Sequence, residues 1–431
     1  MHETTSRPKA AQKPAPSEPP PLSSVSRAKR LGKKALSAPI FKPFWLILGG
    51  FGYLVLRLLE PWRRIEVDML AFDRIGHLVT NTEKYLRELA MDPHRAHRLP
   101  ILVSGPPANR QAFRMINRKV CVLESAPWRL YFMLGLKPFI AGTRFDAGIG
   151  KNFYAFRTGV YFDAFQTAPP QLSFLPEEEA RGRALLDTIG VREGQTYFCF
   201  HARDRAYLAT NHAYATKEQW SYHDFRNSDI DHCLPAAEFL AAKGMAGLRM
   251  GHTVGKPLAS TEPLLIDYAS KYRSDFGDIF VIAHAKFYIG NTAGLTTVAY
   301  SFSVPVVQVN MVPIGWPAIG PKDLFIPKKY WDNGKRRLLT FPEIIALGAD
   351  YWNEAGEYAA AGIRVIENTS EEIAELALEM NARLDGVWRE LPGDQELQNR
   401  YRSLFPPDRT LTGYVSRIGA EFIRKNRQLL E

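Results

Sequence analysis

Apolar positions along the chain gather in short β-prone runs, each closed by a glycine or charged turn and followed by helical spacing. The first run, Ile65-Glu-Val-Asp-Met-Leu-Ala-Phe72, reads as a strand, and Arg74-Ile-Gly-His77 makes its turn. Leu78, Thr82, Tyr85, Leu86 and Leu89 then recur at the spacing of one helix face. Further strands are predicted at Ile101-Leu-Val-Ser104 and Lys119-Val-Cys-Val-Leu123, with a helix between Asn109 and Asn117. Alternating strands and helices imply a parallel sheet. The aromatic stretch from Trp128 to Phe165 gives no clear pattern. Ala168-Pro-Pro170 and an acidic helix from Pro176 to Ile189 read as a connection to a second half.

The second half repeats the pattern more plainly. A strand over Thr196-Tyr-Phe-Cys-Phe-His201 ends abruptly in Ala202-Arg-Asp204, and a polar loop runs on to Asp231. A helix starts near Pro235, a favoured first-turn residue, and a strand follows at Gly247-Leu-Arg-Met250. A second polar loop holds Ser270-Lys-Tyr-Arg-Ser-Asp275, before a helix over Phe276–His284 and a strand over Lys286-Phe-Tyr-Ile289. The turn Gly290-Asn-Thr-Ala-Gly294 opens a helix with Leu295, Val298, Ala299 and Phe302 on one face, and Val304-Pro-Val-Val-Gln-Val-Asn310 is the last predicted strand. Long polar loops at one sheet edge usually carry function.

Charge changes the picture at the amino end only. Twelve of the 55 basic residues and three of the 45 acidic ones lie in the first 64 positions, so this arm carries +9 of the net +10. The body is close to neutral, which argues against a nucleic-acid partner. Residues 1–25 are rich in Pro, Ser and Ala and read as disordered. After the basic cluster Arg27–Lys34 comes an apolar stretch over Pro43–Leu56, short of the ~20 residues a spanning helix needs. It reads as a segment lying in a membrane interface, with Trp45 and Trp62 at headgroup level; a helix packed on the body is the other reading. Peripheral attachment from the cytoplasmic side, through an anionic membrane surface, is the expectation.

Cys121, Cys199 and Cys233 are too scattered for a disulfide framework or a zinc site, and Cys199 lies inside an apolar run. No P-loop and no Gly-x-Gly-x-x-Gly occurs. Ligands of open α/β sheets bind outside the carboxyl ends of the strands, where His201, Arg203 and Asp204 stand. Arg203, Arg249 and Arg273 can neutralise a diphosphate, since a guanidinium grips two oxygens at once. Small residues in the Gly290–Gly294 turn let backbone N–H groups at a helix start approach an anion, although tight helix–strand packing explains them equally. Together these features point to a cleft enzyme with a nucleotide-linked donor.

Phe200-His-Ala-Arg-Asp204, Phe225-Arg-Asn-Ser-Asp229, Lys271-Tyr-Arg-Ser-Asp275 and Gly290-Asn-Thr-Ala-Gly294 resemble the motifs of a family of bacterial glycosyltransferases. Arg74-Ile-Gly-His-Leu78 with Asn81-Thr-Glu83 resembles its amino-terminal motif, and the likeness covers roughly residues 66–385. More distantly, His201-x-Arg203 is similar to a fucosyltransferase signature, with Asp204 in place of its second arginine.

The resemblance implies an α/β protein of two facing Rossmann-like domains, the GT-B fold, behind a disordered, membrane-associating arm. The expected divisions are a basic arm (1–38), an apolar interface segment (39–64), an acceptor domain (65–175), a donor domain (176–385) and a helical extension (386–431). In that extension Leu411, Tyr414, Val415, Ile418 and Phe422 fall on one face of a helix. The implied activity moves a sugar from a nucleotide-sugar donor to a glycan, lipid-linked or protein acceptor. The alternatives are a sugar-nucleotide epimerase or hydrolase, or an inactive nucleotide- or glycan-binding scaffold. His201, Arg203, Arg249, Arg273, Ser274, Asp275, Gly290, Asn291, Thr292 and Gly294 would bind the donor, with Thr292 and nearby N–H groups on the leaving diphosphate. No metal and no cofactor are expected. The general base would be His77, facing the cleft from the first domain, with Asp204 and Glu83 as rivals.

Overall fold

The computed structural model describes residues 41–149, 160–204, 206, 224–406 and 414–431. The disordered arm expected at 1–38, and Leu411 of the expected terminal helix, lie outside these residues.

Helix α1 (Lys42–Leu59) precedes the first sheet. At 18 residues it is longer than the apolar run that predicts it, and by length and composition alone it could cross a membrane. β1 (Arg64–Met69), α2 (Ile75–Met91), β2 (Arg98–Ser104), α3 (Arg110–Asn117) and β3 (Cys121–Glu124) then form a three-stranded parallel sheet in the order β1-β2-β3. Asn109 starts α3 by accepting the Ala112 N–H, a capping bond that satisfies an otherwise orphaned donor. The unpatterned aromatic stretch becomes helical turns over 126–140, which pack under α1. A small core of Leu56, Val67, Val103, Phe132, Leu136, Ile140 and Phe145 lies beneath them.

After α4 (Pro176–Thr188), the second half is built on β4 (Tyr197–His201), α5 (Leu234–Ala242), β5 (Ala246–Arg249), β6 (Leu265–Ile266), α6 (Asp275–Ala283), β7 (Tyr288–Gly290), α7 (Gly294–Ser301), β8 (Val306–Met311) and β9 (Leu324–Pro327). β10 (Lys329–Asp332), β11 (Arg337–Leu338) and β12 (Ile363–Ile366) make a small antiparallel sheet that the sequence pattern does not announce. The large sheet does not end at the run over 304–310, because β9 and a final strand, β13 (Arg417–Ile418), extend it. It has seven parallel strands in the order β13-β9-β8-β7-β4-β5-β6. Every residue of β8 is buried, as expected where helices cover both faces of a parallel sheet.

The terminal extension is therefore not one helix. β13 lies beside β9, and a short helix, Ala420–Lys425, follows it. The Ser416 hydroxyl bonds Ala318 O at 2.7 Å, and Gln398 exchanges two bonds with Ile418. These contacts keep the described extension on the second half.

Helices α2 and α7 join the two halves. A Cβ at Gly76 would lie 2.8 Å from Gly294 Cα, so their first turns meet at backbone contact. Thr80 bonds Thr297 O at 3.0 Å. Further along, Thr80, Asn81, Thr82, Glu83, Lys84 and Arg87 are all buried. α2 is therefore enclosed on nearly every side, and Thr80, Glu83 and Arg87 find their partners within the joint.

Candidate functional site

The sheet order puts a topological switch beside β4. The chain runs from β4 to β5 and β6 on one flank, and β7 returns on the other. Ligands of open α/β sheets settle outside the carboxyl ends of strands at such a point. Here His201 ends β4 directly opposite Gly290, which ends β7.

A cavity of ≈ 250 Å³ opens at this place between the halves. Arg74, Ile75, Gly76 and His77 line it from the first half, and His201, Arg203, Arg226, Arg273, Thr292 and Gly294 from the second. Leu295, Trp316, Pro317 and Ile319 give it an apolar side. A neighbouring recess of ≈ 680 Å³ shares the Asp204 wall.

Arg203, Arg226 and Arg273 are held in place by the residues around them. The Arg203 main-chain N–H donates to Asn291 Oδ1 at 3.1 Å, and its side-chain Nη1 donates to Asn227 Oδ1 at 2.6 Å. Arg226 lies over the Trp316 ring at 4.9 Å. Arg273 donates to Asp275 Oδ1 at 2.8 Å and through Nε to Asp278 Oδ2 at 3.0 Å. Burial pushes the Asp278 carboxyl up to about 7, against the pull of Arg273. Four cations line the cavity against two carboxylates, Asp204 and Asp278, an excess of positive charge that favours an anion.

The histidines are held neutral. Burial, reinforced by Arg74 and Arg226, lowers the His77 pKa to about 4. Burial also takes His201 to about 4, assisted by Arg249 and Arg203 and opposed by Met250 O and Asp204. His201 Nδ1 sits 2.9 Å from Met250 O. A carbonyl only accepts, so Nδ1 carries the hydrogen and Nε2 is the acceptor of the neutral ring.

Several expected site residues do other work. Arg249 is 2% exposed, does not line the cavity, and pairs with Asp267 at 3.0 Å while donating to Lys256 O. Its strand-end position predicts the sheet edge correctly, but the following loop closes over it through Asp267 and Lys256. Glu83 is fully buried, bonded to Arg87 at 2.8 Å and to the Gln171 and Leu172 N–H groups. It does not line the cavity, so it is a joint between segments rather than a base. Asp204 touches the cavity but commits both oxygens, to Ala206 N and Gly255 N at 2.8 Å each. As a proton acceptor it would have to give up the bonds that fix its loop.

Ser274 caps α6 by accepting the Gly277 N–H. Asp275 crosses to the first half, accepting the Arg110 N–H at 2.8 Å, so Ser274 and Asp275 shape the site from outside it. Gly290 is required for packing, since a Cβ there would lie 2.5 Å from the Tyr288 ring. Asn291 is fully buried; besides holding Arg203 it donates to Arg226 O and Ser228 Oγ, tying three loops together. His77, His201, Arg203, Arg273, Thr292 and Gly294 do share the cavity.

Arg74 and Arg226 join the cavity without having been expected there, although both stand inside the motifs quoted above. His252, Asp278 and Trp316 also line it, and Trp316 follows the last patterned strand, where spacing gives no signal. Cys199 and Cys233 are buried, and burial pushes both thiols up, Cys233 to about 12. Among the described residues, no group of three or more His, Cys, Asp or Glu side chains is placed to hold a metal ion.

No family model and no curated protein matches the chain. Among solved structures, it is similar to a glycosyl transferase family 9 protein from Veillonella parvula at 12% identity and a TM-score of 0.40, covering 74% of this chain and 97% of that one. It is also similar to the E. coli ADP-heptose lipopolysaccharide heptosyltransferase II, at 14% identity and a TM-score of 0.33 over 57% of this chain and 83% of that one. A third is an E. coli heptosyltransferase with ADP-2-deoxy-2-fluoro heptose, at 13% identity and a TM-score of 0.29 over 59% of this chain and 91% of that one. Overlap at this level is a likeness in the run of the backbone and says nothing of chemistry.

Proposed function

We propose that the chain is a glycosyltransferase of the GT-B arrangement, two facing Rossmann-like domains with the donor held mainly by the second. It moves a sugar from a nucleotide-sugar donor to a glycan, lipid-linked or protein acceptor in bacterial surface-glycan synthesis. The observation that carries this reading is the gathering of Arg74, Arg203, Arg226 and Arg273 around one cavity at the sheet's switch point, with His77 on the first-half wall. A diphosphate is the ligand such a set of guanidinium groups suits. Trp316, Pro317 and Ile319 supply an apolar surface for the rest of the donor.

In the reaction, an acceptor hydroxyl oxygen forms the new bond to the sugar's anomeric carbon. The bond from that carbon to the diphosphate oxygen breaks, and its electron pair leaves with the diphosphate. The arginines, Thr292 and the start of α7 stabilise that charge where it develops, which commonly accounts for a large share of an enzyme's rate enhancement. The hydroxyl proton passes to His77, whose low pKa keeps it unprotonated at neutral pH. An anionic donor offsets the charges of Arg74 and Arg226 and raises His77 toward the range where a base works best.

The test is turnover. Purified protein is incubated with a panel of nucleotide sugars, with and without a bacterial glycolipid and glycan extract, and released nucleoside diphosphate is measured. Release that depends on the extract is the expected result. Nucleoside diphosphate released without any acceptor would instead mark a hydrolase, conversion of the sugar nucleotide without release an epimerase, and binding without either a scaffold.

A further inference from the structure

Helix α1 is mounted with its apolar stripe outward. Phe44, Ile47, Leu48, Phe51, Leu54 and Leu58 recur at three- and four-residue steps, and all are exposed, Ile47 by 75%. On the inner side Leu56 is buried, and glycines let the backbone approach the body closely. A Cβ at Gly49 would lie 2.1 Å from Gly135 O, and one at Gly52 would lie 1.8 Å from the Tyr131 hydroxyl. A helix of a water-soluble body turns its large apolar residues inward. This one sets its glycines and Leu56 against the body and leaves those six large apolar side chains outside.

The surface continues onto the 126–140 turns. Trp128, Met133 and Phe139 are exposed there, and Phe139 stacks on Tyr53 of α1 with ring centroids 6.4 Å apart. Among the described residues nothing packs on either element's outer side. Lys42, Arg57, Arg63 and Lys137 are exposed around it. Glu60, the single carboxylate between positions 19 and 65, is already paired with Arg144 at 2.6 Å.

We propose that α1 and the 126–140 turns form one face that docks flat on an anionic lipid bilayer. The cationic rim complements anionic headgroups, at about 1 kcal/mol for each charge near the surface. It would repel the same rim on a second copy. The chain's own residues 1–40 are a poor cover, because they carry few large apolar side chains and the same positive charge. The helix lies in the plane because its backbone contact at Gly49 and Gly135 fixes it along the body. At ~1.5 Å per residue it is about 27 Å long, and crossing would drag the 126–140 turns into hydrocarbon.

Flotation of the full chain with vesicles containing about 30% phosphatidylglycerol tests this, against vesicles of phosphatidylcholine alone. Wild type floats with the anionic vesicles. Ile47→Glu and Met133→Glu each lower the bound fraction on the order of tenfold, with circular dichroism showing that both variants stay folded. Chain expressed in bacteria leaves the membrane fraction in alkaline carbonate. Undiminished binding by Met133→Glu would overturn the two-element face. Retention through carbonate would overturn the flat orientation in favour of a crossing helix. Absence of vesicle binding, with self-association that the same variants abolish, would assign the face to a second copy.

Discussion

Replacing His77 with alanine is expected to lower kcat by about 10²–10⁴-fold while leaving donor affinity and melting temperature near wild type, because positioned proton transfer contributes on that order. His77 follows Gly76, whose lack of a Cβ lets the first turn of α2 meet Gly294, and this brings the imidazole to the cavity wall. The accompanying pH profile carries the sign. A base works unprotonated, and burial with Arg74 and Arg226 lowers this group to about 4. Activity of the free enzyme as kcat/KM should therefore persist as pH falls through 6.5 and decline only toward about 4. Steady-state kinetics across that window check it. A kcat within a few-fold of wild type for His77→Ala would remove it as the base.

Arg87→Ala is expected to destabilise the fold by about 3–5 kcal/mol, the cost of leaving a buried charge without its partner. Arg87 is fully buried and donates to Glu83 Oε1 at 2.8 Å, Phe165 O at 3.2 Å, Ala168 O at 2.9 Å and Ser301 O at 2.8 Å. One side chain thus holds α2, the connecting segment and the end of α7 together. Its removal strands Glu83, whose pKa burial already raises against the pull of Arg87. Urea denaturation measures the loss. Because the damage comes from the orphaned carboxylate, Glu83→Gln in the same chain should recover part of it. A change below about 1 kcal/mol would mean the joint does not depend on this residue.

The positions of the motifs are legible in the chain, and their division of labour is not. The β4 and β7 runs and their polar turns predict the strand ends that meet at the site, because each is a short apolar strand stopped by glycine or charge; the switch itself comes from the strand order. What alternation along a strand cannot tell is which loop covers an end, and so Arg249 reads as a phosphate clamp although Asp267 claims it. Helix α2 misleads in another way. Its helical spacing is correct, but a face pattern presumes a wet side, whereas Glu83 and Arg87 are both fully buried in the joint with the second half. Such a partnership between distant segments leaves no local trace. β13 is two residues long and the small sheet of β10 to β12 has no extended apolar run, so neither produces a period. The α1 stripe, by contrast, is plain in the spacing of its apolar residues; which way it faces is decided by Gly49 and Gly52 against the 126–140 turns.

The most direct measurement of the central claim is isothermal titration of wild type and Arg203→Ala with a panel of nucleoside diphosphates and the matching nucleosides. At least one diphosphate should bind wild type and lose roughly tenfold to hundredfold in affinity in Arg203→Ala, the worth of a charge-assisted hydrogen bond. Nucleoside binding should change little. Failure of every diphosphate to bind, or equal affinity for both proteins, would contradict a donor diphosphate held at the β4 end.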